Sequence, residues 1–186
     1  SAETDPLRFY QAMIQSMDTE LGRLLEGVDR DKTVIIYLGD NGTLTELNQG
    51  IYPPGHGKGS LGQGGVHVPL IITGPGIESG TVDAMVHAVD LYATVLELLG
   101  ESEPSDSGLD SISLTPYFTD PFIHPQRERM LTELFGYGVP ELLAGRSARS
   151  ERYKLIRPFE GTDRLYDLYA DPIGIVPISS SLTRVD

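Results

Sequence analysis

The chain has 186 residues, 39% of them apolar and 22% charged, a balance that suits a folded domain with its own core and excludes wholesale disorder. Its 14 Lys and Arg against 27 Asp and Glu give a formal charge of −13, which argues against a general nucleic-acid binder or a polybasic membrane binder. It contains no cysteine, so disulfides, thiolate metal sites and a cysteine nucleophile are excluded among these residues, and no apolar run approaches the ~20 residues that cross a bilayer.

In chain order, residues 7–28 read as an amphipathic helix. Leu7, Tyr10, Ile14, Met17, Leu21, Leu24 and Leu25 recur at three- and four-residue steps, with Asp5 as N-cap, Pro6 as first helical residue and Gly27 as stop. Thr33–Leu38 is a continuous, largely β-branched run. Apolar on both faces, it suits a central strand of a covered, parallel sheet. Residues 39–65 have no steady period, and a loop of that length is usually functional or disordered. Val66–Thr73 reads as a second buried strand, ended by Gly74-Pro75-Gly76, and Asp90 as the N-cap of a helix through Leu99. After an acidic connection at 101–111 the texture changes. Arg129–Leu134, Ser147–Arg157 and Arg164–Tyr169 are short strand-like segments separated by turn residues, which predicts a small antiparallel sheet.

The chemistry concentrates in the long loop. Asp40-Asn41-Gly42 follows the first strand, where ligands collect in open α/β sheets. A carboxylate beside an amide oxygen offers two hard ligands suited to Ca²⁺ or Mg²⁺. The same Asn-Gly pair is also a strong hairpin-turn signal. Further on, Gly55-His56-Gly57-Lys58-Gly59-Ser60 sets one lysine among glycines, so that backbone can approach an anion and Lys58 can supply charge; an ordinary surface loop is the competing reading. His56 is a candidate proton donor or ligand, or an unremarkable loop histidine.

Taken together, Tyr37-Leu38-Gly39-Asp40-Asn41-Gly42 and the run from Gly57-Lys58-Gly59 through Gln63-Gly64-Gly65-Val66-His67-Val68-Pro69 closely resemble the sulfatase family of the alkaline-phosphatase superfamily. Met17–Leu25, Val89–Leu96, Arg152-Tyr153-Lys154-Leu155-Ile156 and Leu165–Leu168 with Asp171-Pro172 extend the resemblance over roughly residues 10–172.

The resemblance implies an α/β fold: part of an alkaline-phosphatase-like, mostly parallel sheet flanked by helices (residues 1–110), plus a small antiparallel C-terminal subdomain (residues 111–186). It implies hydrolysis of a small-molecule or carbohydrate sulfate ester, with no nucleic-acid or membrane partner. Asp40 and Asn41 would then be metal ligands for one divalent cation, Ca²⁺ or Mg²⁺, Lys58 would bind the sulfate and act in catalysis, and His56 is a second catalytic candidate. Asn41, where phosphatase branches tend to carry His, favours a sulfatase, and a phosphatase or phosphonate hydrolase of the same superfamily stays as an alternative.

The family's formylglycine precursor motif is not found among these residues. The expectation is therefore a C-terminal half, an inactive fragment whose formylglycine nucleophile and remaining metal ligands lie in a missing N-terminal half. A stand-alone, non-catalytic module is the alternative. His67 and His87 are read as packing residues, Glu133 as a family-like position without a role, and Arg146 and Arg149 as strand-edge arginines.

Overall fold

The structure is a computed structural model, and it describes residues 5–101, 108–135 and 144–179. It opens with α1 (Pro6–Leu25), which starts where the sequence signals place it: the Asp5 carboxylate accepts from the Leu7 and Arg8 amides, and Pro6 occupies the first turn, where a missing N–H costs nothing. The apolar stripe on α1 has no buried residue among those described, and Met13 and Leu24 remain largely exposed. Its tie to the long loop is the Tyr10 hydroxyl, 3.3 Å from Thr43 Oγ1.

The two central strands are β1 (Ile35–Leu38) and β2 (Leu70–Thr73), with a one-turn helix, α2 (Gln63–Val66), just before β2. They pair antiparallel, with Ile36 opposite Ile72 and Leu38 opposite Leu70. Both sheets in the described residues are antiparallel, which corrects the expected mostly parallel sheet. The β-branched run specified a strand but not its direction. A parallel return needs a crossover, usually a full helix, whereas the 39–69 segment holds only the single turn of α2 and a 3₁₀ turn at Thr45–Leu47. The loop instead folds back on its own stem, where Gly39 N–H donates to Pro69 O (2.9 Å) and Gly42 N–H to Gly65 O (3.0 Å), continuing the ladder. Nor are both faces covered, since β1 is half-buried throughout and β2 alternates half-buried with exposed.

Helix α3 (Asp90–Leu98) matches the expected element, but Asp90 is its first residue rather than its cap. The carboxylate is 1% exposed; it accepts from the His87 and Ile112 amides and pairs with Arg127, itself 3% exposed. The C-terminal sheet runs β3 (Met130–Leu134), β4 (Gly145–Arg149), β5 (Tyr153–Pro158) and β6 (Arg164–Asp167), in spatial order 3-4-5-6. The segment 147–157 thus divides into two strands at a turn, where Ser150 N–H donates to Tyr153 O. Leu61, Ile156, Tyr166 and Leu168 form the central cluster, with Leu134 packed against it. Loop and C-terminal sheet therefore share one core, which fixes the glycine-rich loop to a rigid platform.

Candidate active site on the glycine-rich loop

The loop is held by backbone packing that only glycine permits. A Cβ at Gly42 would lie 1.7 Å from Gly64 O, one at Gly64 2.5 Å from His56 O, and one at Gly65 2.2 Å from Ser60 O and 2.8 Å from Gly57 O. Helix α2 is thereby wedged between the Asn41-Gly42 segment and the His56-Gly57-Lys58 segment. The Lys58 amide closes the arrangement by donating to Thr43 O at 2.8 Å. The Asn-Gly pair is not a two-residue hairpin turn, because the partner of β1 begins about thirty residues later at Leu70.

The sequence candidates are only partly gathered. Asp40 and Asn41 are exposed and adjacent at the carboxyl end of β1, and the Asn41 amide nitrogen donates to Gly42 O at 3.3 Å. Asn41 lines a cleft of about 270 Å³ with Tyr10, Thr43, Asn48, Tyr52 and His67. Lys58 is exposed, and its backbone, two residues beyond His56, lies against Thr43. His56 belongs elsewhere: half-buried, it lines a separate cleft of about 370 Å³ with Ser60, Glu160, Thr162 and Arg164. Its Nδ1 is buried with no hydrogen-bond partner. Burial lowers its pKa, and the positive charges of Arg164 and Lys154 push it the same way. Neither cleft is lined by Asp40 or Lys58.

The residues that hold this loop escaped the sequence reading. Lys154 is 2% exposed, and its Nζ donates to Gln63 Oε1 at 3.0 Å, with Gln63 4% exposed at the start of α2. Burial and the neighbouring Arg149 lower the Lys154 pKa from 10.5 to about 7. Arg149 is half-buried with an unpartnered Nε, its own pKa lowered by burial, so it is no solvated edge residue. His67, open to solvent on one side, is also held low, by burial and then by Arg149 and Lys154. His87 is part of the α3 entry: its backbone amide donates to Asp90, and its Nδ1 accepts from Val89. Arg146 pairs with Glu133 across β3 and β4 at 2.6 Å. The readable signal for Lys154 was its register, since period two in β5 puts it on the same face as buried Ile156 and Pro158.

A family model described as Sulfatase matches residues 1–101, more than half of the chain. The chain belongs to the sulfatase family. A second model, described as the C-terminal part of N-sulphoglucosamine sulphohydrolase, matches residues 58–181. Human arylsulfatase K is 30% identical over 88% of this chain and 32% of its own length. The structure of BT4656 in complex with D-glucosamine-2-N,6-O-disulfate superposes with a TM-score of 0.73 at 25% identity, covering 91% of this chain and 35% of that one. The phosphonate monoester hydrolase SpPMH from Silicibacter pomeroyi gives 0.63 at 26% identity, covering 83% and 33%. The chain spans about a third of the length of the curated relatives first matched along most of it.

These matches correct the expectation of a C-terminal half. The sulfatase model matches residues 1–101, so this part of the chain is itself sulfatase-family sequence. With that, the reading of an inactive fragment whose catalytic portion is missing falls away. So does the assignment of the formylglycine and remaining Ca²⁺ or Mg²⁺ ligands to a missing half, which was built on the same premise. Among the described residues there is no group of three or more His, Cys, Asp or Glu side chains that could hold a metal, and the chain has no cysteine. Asp40 and Asn41 have the oxygen chemistry of a hard-cation site but amount to two donors, where such ions take six or more. No helix among the described residues is long and apolar enough to cross a membrane.

Proposed function

We propose that the chain serves a sulfuric-ester hydrolase acting on carbohydrate sulfate esters, with Lys58 as the sulfate-binding and charge-stabilising residue. The observation that carries the reading is the packing of Asp40–Thr43 against Gly57–Lys58, where the Lys58 amide meets Thr43 O at 2.8 Å. Two chemically different segments thereby meet at the carboxyl end of β1. Sulfate transfer builds charge on the ester oxygens, and the Lys58 ammonium, carried on a backbone held at Thr43, would offset that charge. Asp40 and Asn41 would supply two oxygens to a hard divalent cation, which adds Lewis-acid polarisation when bound. His56 lines the other cleft, where burial lowers its pKa and so disfavours the imidazolium form.

A carbohydrate substrate is supported by two relatives of this chain, the N-sulphoglucosamine sulphohydrolase family and BT4656, whose bound ligand is a sulfated glucosamine. Likeness to a phosphonate monoester hydrolase supports a second reading, turnover of a phosphonate monoester at the same loop. Sulfate release from a panel of glucosamine and uronate sulfates, beside phosphonate release from an aryl phosphonate monoester by P–O ester hydrolysis, separates the two. Saturable sulfate release is expected. Phosphonate release alone would select the second reading, and binding without any turnover would leave a non-catalytic module.

A further inference from the structure

We propose that Lys154 is the positioning residue of the glycine-rich loop: through Gln63 it latches α2, and because its partner is an amide rather than a carboxylate, the latch holds with a neutral amine and loosens when Lys154 is protonated. The inference rests on the functional reading above only in treating this loop as the one that presents Lys58.

The geometry makes α2 a keystone. Gly64 and Gly65 press on the backbone oxygens of His56, Gly57 and Ser60, while Gly42 presses on Gly64 O and donates to Gly65 O. A displacement of α2 therefore moves both the Asn41 segment and the Lys58 segment. Backbone atoms this close have no side-chain slack to absorb it. The polar anchor of α2 to the C-terminal sheet is the contact of Lys154 Nζ with Gln63 Oε1, both groups almost fully buried.

The surroundings of Lys154 do not favour an ammonium. Arg149 stands opposite it on β4, Tyr166 opposite it on β6, and the charge of Lys154 is felt by His56 and His67 from the loop. Arg164 and Asp171 act on the same His56, the carboxylate in the opposite sense. Gln63 offers Lys154 a dipole but no negative charge. A cation buried beside another cation with only a neutral acceptor is relieved by losing its proton or by admitting water. The acidity of Lys154 thus agrees with the geometry: the amine is half-protonated near pH 7. In acid, protonation opens the junction to water, and the strain falls on α2.

The test is amide hydrogen exchange of the whole protein from pH 5.5 to 9, corrected for intrinsic rates. The reporters are Gly42, Lys58, Gly65, Val66 and His67, whose N–H groups are bonded within the loop. Their protection is expected to fall about tenfold or more between pH 8 and pH 6, while α1 amides hold steady. Gln63→Glu gives Lys154 a counter-ion and should remove the step, and the paired change Lys154→Met with Gln63→Leu should remove it without leaving an orphaned amide. Lys58→Ala should keep it, because the latch needs neither sulfate nor turnover, so the result stands apart from any assay of activity. No step in the wild type, a step that survives Gln63→Glu, a step lost in Lys58→Ala, or an equal step in α1 would each overturn the proposal.

Discussion

Replacing Lys154 by Met should change how stability depends on pH, and the size of the change follows from its environment. In the unfolded chain a lysine titrates near 10.5; in the fold Lys154 titrates near 7, chiefly through burial and then through Arg149. Between those values only the unfolded chain holds the proton, so stability rises with pH across the window. The penalty of a charged Lys154 is present in full below about pH 7 and is relieved by about pH 10.5. At 1.36 kcal/mol per pH unit that gap corresponds to about 5 kcal/mol. The group is 2% exposed, so solvent screening does not discount it. Urea unfolding of both proteins at intervals from pH 6 to 10 measures the difference. Lys154→Met should be less stable than wild type at pH 10, by about 1–3 kcal/mol for the orphaned Gln63 amide, and should draw level or become the more stable protein near pH 6. Parallel stability curves for the two proteins would refute the argument.

Arg127→Met should cost about 3–5 kcal/mol in the same unfolding assay, because it leaves the carboxylate of Asp90 buried without its counter-ion; a loss below about 1 kcal/mol would show that the site takes up water freely. Gly65→Ala should destabilise by about 1–3 kcal/mol, since its Cβ would lie 2.2 Å from Ser60 O. Gly22→Ala, in the last turn of α1 with nothing within 4 Å of its Cβ, should instead stabilise by about 0.5 kcal/mol. Equal thermal shifts for the two alanines would contradict the wedged-loop account. Asp40→Ala should weaken Ca²⁺ or Mg²⁺ binding by titration calorimetry, whereas an unchanged affinity would remove Asp40 from any cation site.

Local chemistry was the legible part of this sequence. The Asp5-Pro6 entry and the three- and four-residue apolar steps located α1 to within a few residues at each end, because capping and periodicity act over one or two turns. Three short segments likewise announced the C-terminal antiparallel sheet, although 147–157 was read as one piece and holds both β4 and β5. Strand direction was not legible: the apolar run at 33–38 is the same in a parallel or antiparallel pair, and the return path of a 31-residue loop is decided by glycine contacts distant in sequence. The motifs around Asp40, Asn41 and Lys58 carried the family, yet the two residues latching the loop lie 91 positions apart and belong to no shared motif. His56 shows the limit most plainly, since it and Lys58 were both catalytic candidates and the fold sets His56 in a cleft that Lys58 does not line.

The central claim is that Lys58 acts on the sulfate of a carbohydrate ester, and kcat/KM for Lys58→Ala across a Ca²⁺ titration tests it most directly. A donor aimed at a developing oxyanion contributes on the order of 3–4 kcal/mol, or roughly 10²–10³ in rate. The account predicts a loss of that size which added cation does not restore, beside a loss in Asp40→Ala which it partly does. Turnover by Lys58→Ala within about twofold of wild type would contradict the assignment and return the glycine-rich loop to a structural role.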